Sequence, residues 1–325
     1  MKMNRRDFNK TSMAAGLSLL AAGQLHAQAR FKTQLLKATI VGKPTEDGLR
    51  QLKDAGFNGV ETDAVISETE AAECRKMADK LGMRIHSVLR GWAEMNSNDK
   101  GKVESSVASV ANALKAAKGY GADAILLVPC RTDAAPMPEP WDFTIEFDDK
   151  TGHLTRVAAG DNERYKSYIA AQNLATDTSR EAIRKLIPLA EETKVVIAIE
   201  NVWNNLWVTP ALAKNFVESF QSQWVKFYFD VGNHVKYPAK PQDWIRTLGP
   251  LLAKVHIKDF KLKPDGHGGD FVHPRDGSVD WPAVRQALDD AGYNGWLTIE
   301  DGGLPLPEFN RRLDLIIDGK VYGEF

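Results

Sequence analysis

The stretch KFYFDVGNHV, residues 226–235, runs a strand-forming segment straight into an acid, Asp230, and sets His234 four residues later. A carboxylate at the end of a buried strand loses solvation unless something pairs with it. One such acid reads as a loop cap, so the meaning depends on the other strands. Working outward, short apolar runs read as strands: LLKATIV, GVET, MRIHSVL, AILLVP, VVIAIE, VKFYFD, KVHIKD and GWLTIE. Between them lie segments of helical periodicity such as ETEAAECRKMADKLG, VESSVASVANALKAAKGYG, TSREAIRKLIPLAEETK, TPALAKNFVESFQ, PQDWIRTLGPLLA, WPAVRQALDDAGY and PEFNRRLDLIIDG. Several of these helices stop near Gly56, Gly82 or Gly121. Strands alternating with helices in this way predict a single (β/α)8 TIM barrel. A doubly wound open sheet is the alternative, and no G-x-G-x-x-G follows the first strand to support it.

One connection is too long for a plain barrel loop. Residues 131–161, after the fourth strand, contain WDFTIEFDDKTGHLTRV, which predicts a hairpin turning at DDKTG. A long loop at this end of a barrel strand lies over the active-site face. It is expected to be a lid or a contact with a second copy of the chain.

Composition narrows the class. The 325 residues are 43% hydrophobic and 26% charged with net charge -1, which suits a globular chain and gives no basic face for nucleic acid. Cys74 and Cys130 fit neither a disulfide framework nor a paired zinc spacing and are expected to be buried. At the N-terminus, NRRDFNK (residues 4–10) precedes the modest apolar run MAAGLSLLAAG and the small residues Ala27 and Ala29. This predicts a cleaved signal peptide over residues 1–29 of the twin-arginine type, with the barrel over 30–325. The residue before the arginine pair is Asn4 where Ser or Thr is usual. The expected location is the periplasm or another exported compartment, with the twin-arginine export machinery as a partner and no membrane contact after cleavage.

The strand ends now answer the opening question. The fifth strand ends in Glu200, the sixth in Asp230, the seventh carries His256 and the eighth ends in Glu300. In a barrel these positions converge on one mouth. Three carboxylates meeting there would repel one another, and a divalent cation removes the conflict. Two Glu, one Asp and one His make an oxygen-rich site suited to one Mn²⁺ or Mg²⁺, or to Co²⁺ or Zn²⁺ through the imidazole.

The motifs AIENVWN, YFDVGNHV, KVHIKDF and DGSVDWPAVRQALDDAGYNGWLTIE resemble those of the sugar phosphate isomerase/epimerase group of xylose isomerase-like barrels, which includes tagatose 3-epimerase, hydroxypyruvate isomerase and inosose dehydratase relatives. The resemblance implies that Glu200, Asp230, His256 and Glu300 hold a single divalent ion. It also implies that Glu200 and Glu300 are the acid/base pair on opposite faces of the substrate carbon. The implied chemistry is proton abstraction beside a carbonyl through an enediolate, giving an isomer or epimer of a small sugar or keto sugar. In the same site, expulsion of a beta substituent would make the enzyme a lyase acting on a 3-keto-glycoside. An endonuclease IV-like nuclease shares the barrel but uses additional histidines, and the fourth strand here ends in VPC without one. A non-catalytic sugar-binding barrel is the remaining reading, and the intact four-residue set argues against it.

Further candidates line the expected pocket. His234 is a candidate substrate contact, with packing at a helix start as the alternative; Lys258, on the inward face with His256 because strand residues alternate, is expected to meet a substrate oxygen or to pair with Glu200 or Glu300. Glu61 at the end of the second strand and His86 in the third are candidates for pocket lining, with packing inside the barrel as the alternative. Trp203 and Asn204 are expected in the wall, where a sugar could stack on the indole. Arg275 is placed to meet a substrate anion. Its loop, KPDGHGGDFVHPRDGSVDW, also holds His267 and His273, which could bind metal independently.

Overall fold

The computed structural model describes residues 31–321, so the expected signal peptide lies outside the described residues. Residues from Thr33 onward form one compact unit. Its centre is a closed barrel of parallel strands: β1 (Leu35–Val41), β2 (Gly59–Thr62), β3 (Arg84–Trp92), β4 (Ala124–Val128), β7 (Val196–Glu200), β8 (Val225–Asp230), β9 (Leu252–Ile257) and β12 (Gly295–Ile299). Neighbours follow chain order, and β12 closes the ring on β1 through Ala38 opposite Thr298. The helices are α1 (Glu46–Asp54), α2 (Glu68–Lys80), α3 (Lys100–Tyr120), α4 (Lys166–Thr193), α5 (Pro210–Glu218), α6 (Pro241–Leu248), α7 (Trp281–Asp290) and α8 (Leu306–Ile317). This is the predicted TIM barrel.

Local chemistry starts and stops these elements. Thr45, Ser67, Asp99 and Asp280 each accept a hydrogen bond from a first-turn amide of the helix that follows. Gly121 ends α3 at φ 71°. Strand alternation divides two cores: Ile197, Ile199, Phe227 and Phe229 pack outward with the helices, while Ala198 and Tyr228 pack with Leu126 and Val128 in a separate cluster. Gly59 is required by close packing, since a Cβ there would overlap Arg84 O and come within 2.8 Å of the Trp296 ring.

Two excursions decorate the ring. After β4, the expected hairpin forms from β5 (Glu146–Phe147) and β6 (Leu154–Arg156). After β9, Lys258 interrupts the strand, and β10 (Asp259–Leu262) pairs antiparallel with β11 (Gly269–Val272), which lies in the segment the sequence suggested as a loop. Helix α4 begins at Lys166, close to the end of the long connection at residue 161, and runs on through the periodic segment quoted from the sequence. Its first turns bury Gln172 and Thr176, polar residues satisfied by Trp207, and these mask the apolar period. Among the described residues, no helix is long and apolar enough to cross a membrane. Both cysteines are free and buried, as expected.

Candidate metal centre

The barrel delivers Glu200 at the end of β7, Asp230 at the end of β8, His256 within β9 and Glu300 just beyond β12. One ligand atom from each lies within 4.8 Å of the others, and no second such group occurs among the described residues. Asp230 and His256 are fully buried, and Glu200 nearly so. His256 Nδ1 lies 3.0 Å from Glu300 Oε2 and 3.5 Å from Glu200 Oε1. Lys258 Nζ lies 3.0 Å from Glu300 Oε2 and 3.8 Å from Asp230 Oδ2.

A divalent cation fits this donor set. Asp230 Oδ2, His256 Nδ1 and Glu300 Oε2 are buried and meet one another and Lys258 only as ion pairs, without hydrogen-bond geometry. Buried polar atoms rarely go unsatisfied. Here three of them belong to the one group whose oxygens and imidazole nitrogen suit a hard or borderline ion. Charge is already shared unevenly among these residues. Burial pushes the Asp230 carboxyl up to about 8, against the pull of Lys258. Burial likewise raises Glu200. For Glu300 burial also acts upward, but the charges of His256 and Lys258 prevail and hold it well below the usual carboxylate range. Burial would lower His256, but Glu61 and Glu300 outweigh it and raise the imidazole well above its ordinary value.

Several residues that position the group were not visible as candidates in the sequence. Asn201 Oδ1 accepts from Asp230 N at 2.7 Å, and its Nδ2 donates to Asp230 O at 2.8 Å. Asn233 N donates to Asp230 Oδ1, and Asn233 Nδ2 donates to Asn201 O. These side-chain amides tie the ends of β7 and β8 together. The asparagines directly after Glu200 and before His234 are the only sequence trace of this clamp.

The other candidates divide. Lys258 faces the group. Glu61 is fully buried and accepts hydrogen bonds from His256 Nε2 at 2.8 Å and Tyr228 OH at 2.6 Å, so it supports the imidazole instead of lining a pocket. His86 is sealed in the barrel, stacked 4.4 Å from Trp296 and paired with Thr298. Burial drives its pKa well below the ordinary value. His234 packs against Tyr237 and Trp244 with Nε2 on Val202 O, and burial lowers its pKa to about 4. Asn204 is buried and holds Cys130 O and Leu206 N, so it shapes a loop. Arg275 turns away from the group: its guanidinium donates to Lys320 O and Val321 O, and its φ is 77°.

Trp203 does stand near the mouth, but its ring is already engaged. Phe271 stacks on it at 4.9 Å, the Lys236 ammonium sits 3.3 Å from its centroid, and its Nε1 donates to Asn233 O. Phe271, 43% exposed and 5.1 Å from Lys258 Nζ, and Trp203, 37% exposed, leave aromatic surface open beside the charged cluster. His267 stacks on Trp141 of the excursion after β4, and His273 pairs with Asp301. Neither joins the cluster.

Comparison with known proteins agrees with this architecture. A family model described as the xylose isomerase-like TIM barrel matches residues 49–313. An inosose dehydratase of Erwinia tasmaniensis is 26% identical over 37% of this chain, and the match spans 45% of that relative, less than half its length. Among solved structures, an apo 3-keto-D-glucoside 4-epimerase from E. coli superposes with a TM-score of 0.64 at 15% identity, covering 87% of this chain and 99% of the other. The IOLI protein, solved with a zinc atom, gives 0.65 at 14% identity, covering 90% of this chain and all of that one (100%). At these identities the superpositions show a shared fold.

Proposed function

The chain belongs to the xylose isomerase-like TIM barrel family, and we propose that it is a metal-dependent enzyme that isomerises or epimerises a keto sugar by moving a proton beside a carbonyl. The observation that carries this reading is the buried group of Glu200, Asp230, His256 and Glu300, with three inward donor atoms lacking directed hydrogen bonds. Held there, a divalent ion supplies a Lewis acid for the substrate's carbonyl and adjacent hydroxyl oxygens.

The chain's own residues do the rest. Glu300, kept ionised beside His256 and Lys258, is suited to take the proton from the carbon next to the carbonyl. Glu200, whose carboxyl is raised by burial, is suited to hold a proton and return it. Return to the neighbouring carbon isomerises, and return from the opposite face epimerises. The Lys258 ammonium, 3.0 Å from Glu300, places a positive charge where negative charge develops on the substrate oxygen. Phe271 offers an apolar wall for a sugar face.

Elimination is the second reading, favoured by the inosose dehydratase relatives. The same abstraction with a leaving group on the beta carbon, as in a 3-keto-glycoside, expels that group and leaves an unsaturated sugar. The arginine pair at residues 5–6 further supports export of the protein, which cell fractionation with and without an Arg5→Lys, Arg6→Lys change would test.

The test of the activity is direct. Protein from Arg30 onward, loaded with Mn²⁺, Mg²⁺, Co²⁺ or Zn²⁺, is incubated with keto sugars and 3-keto-glycosides in D₂O. Solvent deuterium beside the carbonyl, dependent on the ion and lost in Asp230→Asn, is the expected result. An epimer or isomer identifies the first reading and an unsaturated product the second. Folded protein that binds no divalent ion would refute both.

A further inference from the structure

His256 can present Nδ1 to a cation only if its proton resides on the other nitrogen. The structure shows what lies on that side. Glu61 reaches from β2 across the barrel and sets Oε2 2.8 Å from His256 Nε2. The same oxygen accepts from Tyr228 OH of β8 at 2.6 Å, while Oε1 lies 3.4 Å from Ser87 Oγ. Glu61, Tyr228, Ser87 and His256 are all fully buried. In the ring order β2 and β8 stand on opposite sides of the barrel, so this bolt crosses the axis directly beneath the candidate ligands. The carboxylate is spent on three donors and has no exposed surface, which leaves it no route to the substrate.

We propose that Glu61, itself held by Tyr228, is the positioning residue that fixes the tautomer and ring orientation of His256, so that the Nδ1 lone pair points at the ion. A carboxylate acceptor at Nε2 retains the proton there and makes Nδ1 the more basic donor. The tilted contact of the Tyr228 ring with the imidazole, 4.4 Å between centroids, restricts rotation from a second direction. The inference rests on the metal reading of the site, and the following measurements separate the two.

Ion affinity is measured by competition with a chromophoric chelator, using Zn²⁺ and Mn²⁺ alone. Wild-type protein is compared with Glu61→Gln, Tyr228→Phe and the double variant Glu61→Leu/Tyr228→Phe, which removes the Tyr228 hydroxyl together with its acceptor. Glu61→Gln should bind about 10-fold more weakly and the double variant about 100-fold, with a smaller loss for Tyr228→Phe. The second readout is the proton resonance of His256 Nε2–H, which a general loss of packing would not move selectively. It should lie far downfield in wild-type protein, with or without ion, and shift upfield in Glu61→Gln as the acceptor loses its charge. Glu61→Gln with wild-type affinity, or with an unmoved Nε2 proton, overturns the proposal. Wild-type protein that binds no ion refutes the metal reading, and the Nε2 resonance in ion-free protein then decides the orientation of His256 separately. Should the double variant fail to fold, the isosteric Glu61→Gln carries both measurements.

Discussion

Replacing Asp259 by Asn should cost about 4 kcal/mol of stability while leaving ion binding intact. Asp259 begins β10, is fully buried and accepts five hydrogen bonds within one loop. Oδ1 receives Phe260 N at 2.8 Å and Val279 N at 3.3 Å. Oδ2 receives Arg275 N at 2.9 Å, Gly277 N at 3.2 Å and Trp281 Nε1 at 3.0 Å. Asparagine keeps one oxygen, so its amide nitrogen must face donors whichever way it is turned. The cheaper orientation orphans Phe260 N and Val279 N. At about 1–3 kcal/mol for each buried donor left unsatisfied, two such losses give roughly 4 kcal/mol. In thermal unfolding this corresponds to a drop of about 10 °C. Gly277→Ala should act through the same centre, because a Cβ there would overlap Asp259 Oδ1. Circular dichroism melts and urea titrations measure the loss, and chelator competition below the transition measures ion affinity. A variant within 1 kcal/mol of wild type would refute the hydrogen-bond argument. Lost ion binding at unchanged stability would place Asp259 in the site and refute its separation from it.

Four further outcomes follow from the geometry. Glu200→Gln and Glu300→Gln should each reduce deuterium exchange into a turned-over sugar by about 10²- to 10⁴-fold, the usual worth of a positioned acid or base. Because burial raises the Asp230 carboxyl to about 8, ion affinity should strengthen as pH rises toward 8, with proton release on binding seen by calorimetry in buffers of different ionisation enthalpy. His234, lowered to about 4 by burial, contributes stability that is complete above its unfolded pKa near ~6.5 and lost as pH falls toward 4, about 3 kcal/mol in all. His234→Gln, which retains a donor for Val202 O, should flatten that part of the acid-unfolding profile. Lys258→Met should bind a divalent ion several-fold more tightly, through removal of a competing cation, yet exchange more slowly. Looser binding would show that Lys258 orients Glu300 instead.

The barrel was legible because each strand carried its own signal. LLKATIV, GVET and VKFYFD coincide with β1, β2 and β8. The four converging residues were legible for the same reason, since neighbouring strands repeated an acid or imidazole at one height. What escaped depends on contacts between distant segments. Glu61 and Tyr228 occupy ordinary strand positions, and only closure of the ring brings them together beneath His256. The partners of Trp203, Phe271 and Lys236, were not legible because they lie far along the chain. Arg275 looked available because its carbonyl partners belong to the end of the described chain. The β10–β11 hairpin was hidden by its short strands, which alternate too briefly to register among glycines.

The stacking of Trp141 on His267 joins the excursion after β4 to the turn of the β10–β11 hairpin. Two insertions that lie far apart in the chain therefore share one seam above the barrel. Transplanting either one alone into a related scaffold would leave its ring without the partner it stacks on. Transplanted together, they would bring their mutual contact with them and leave the strand-borne carboxylates untouched. In this barrel a change on either side of the Trp141–His267 contact is felt by both excursions at once.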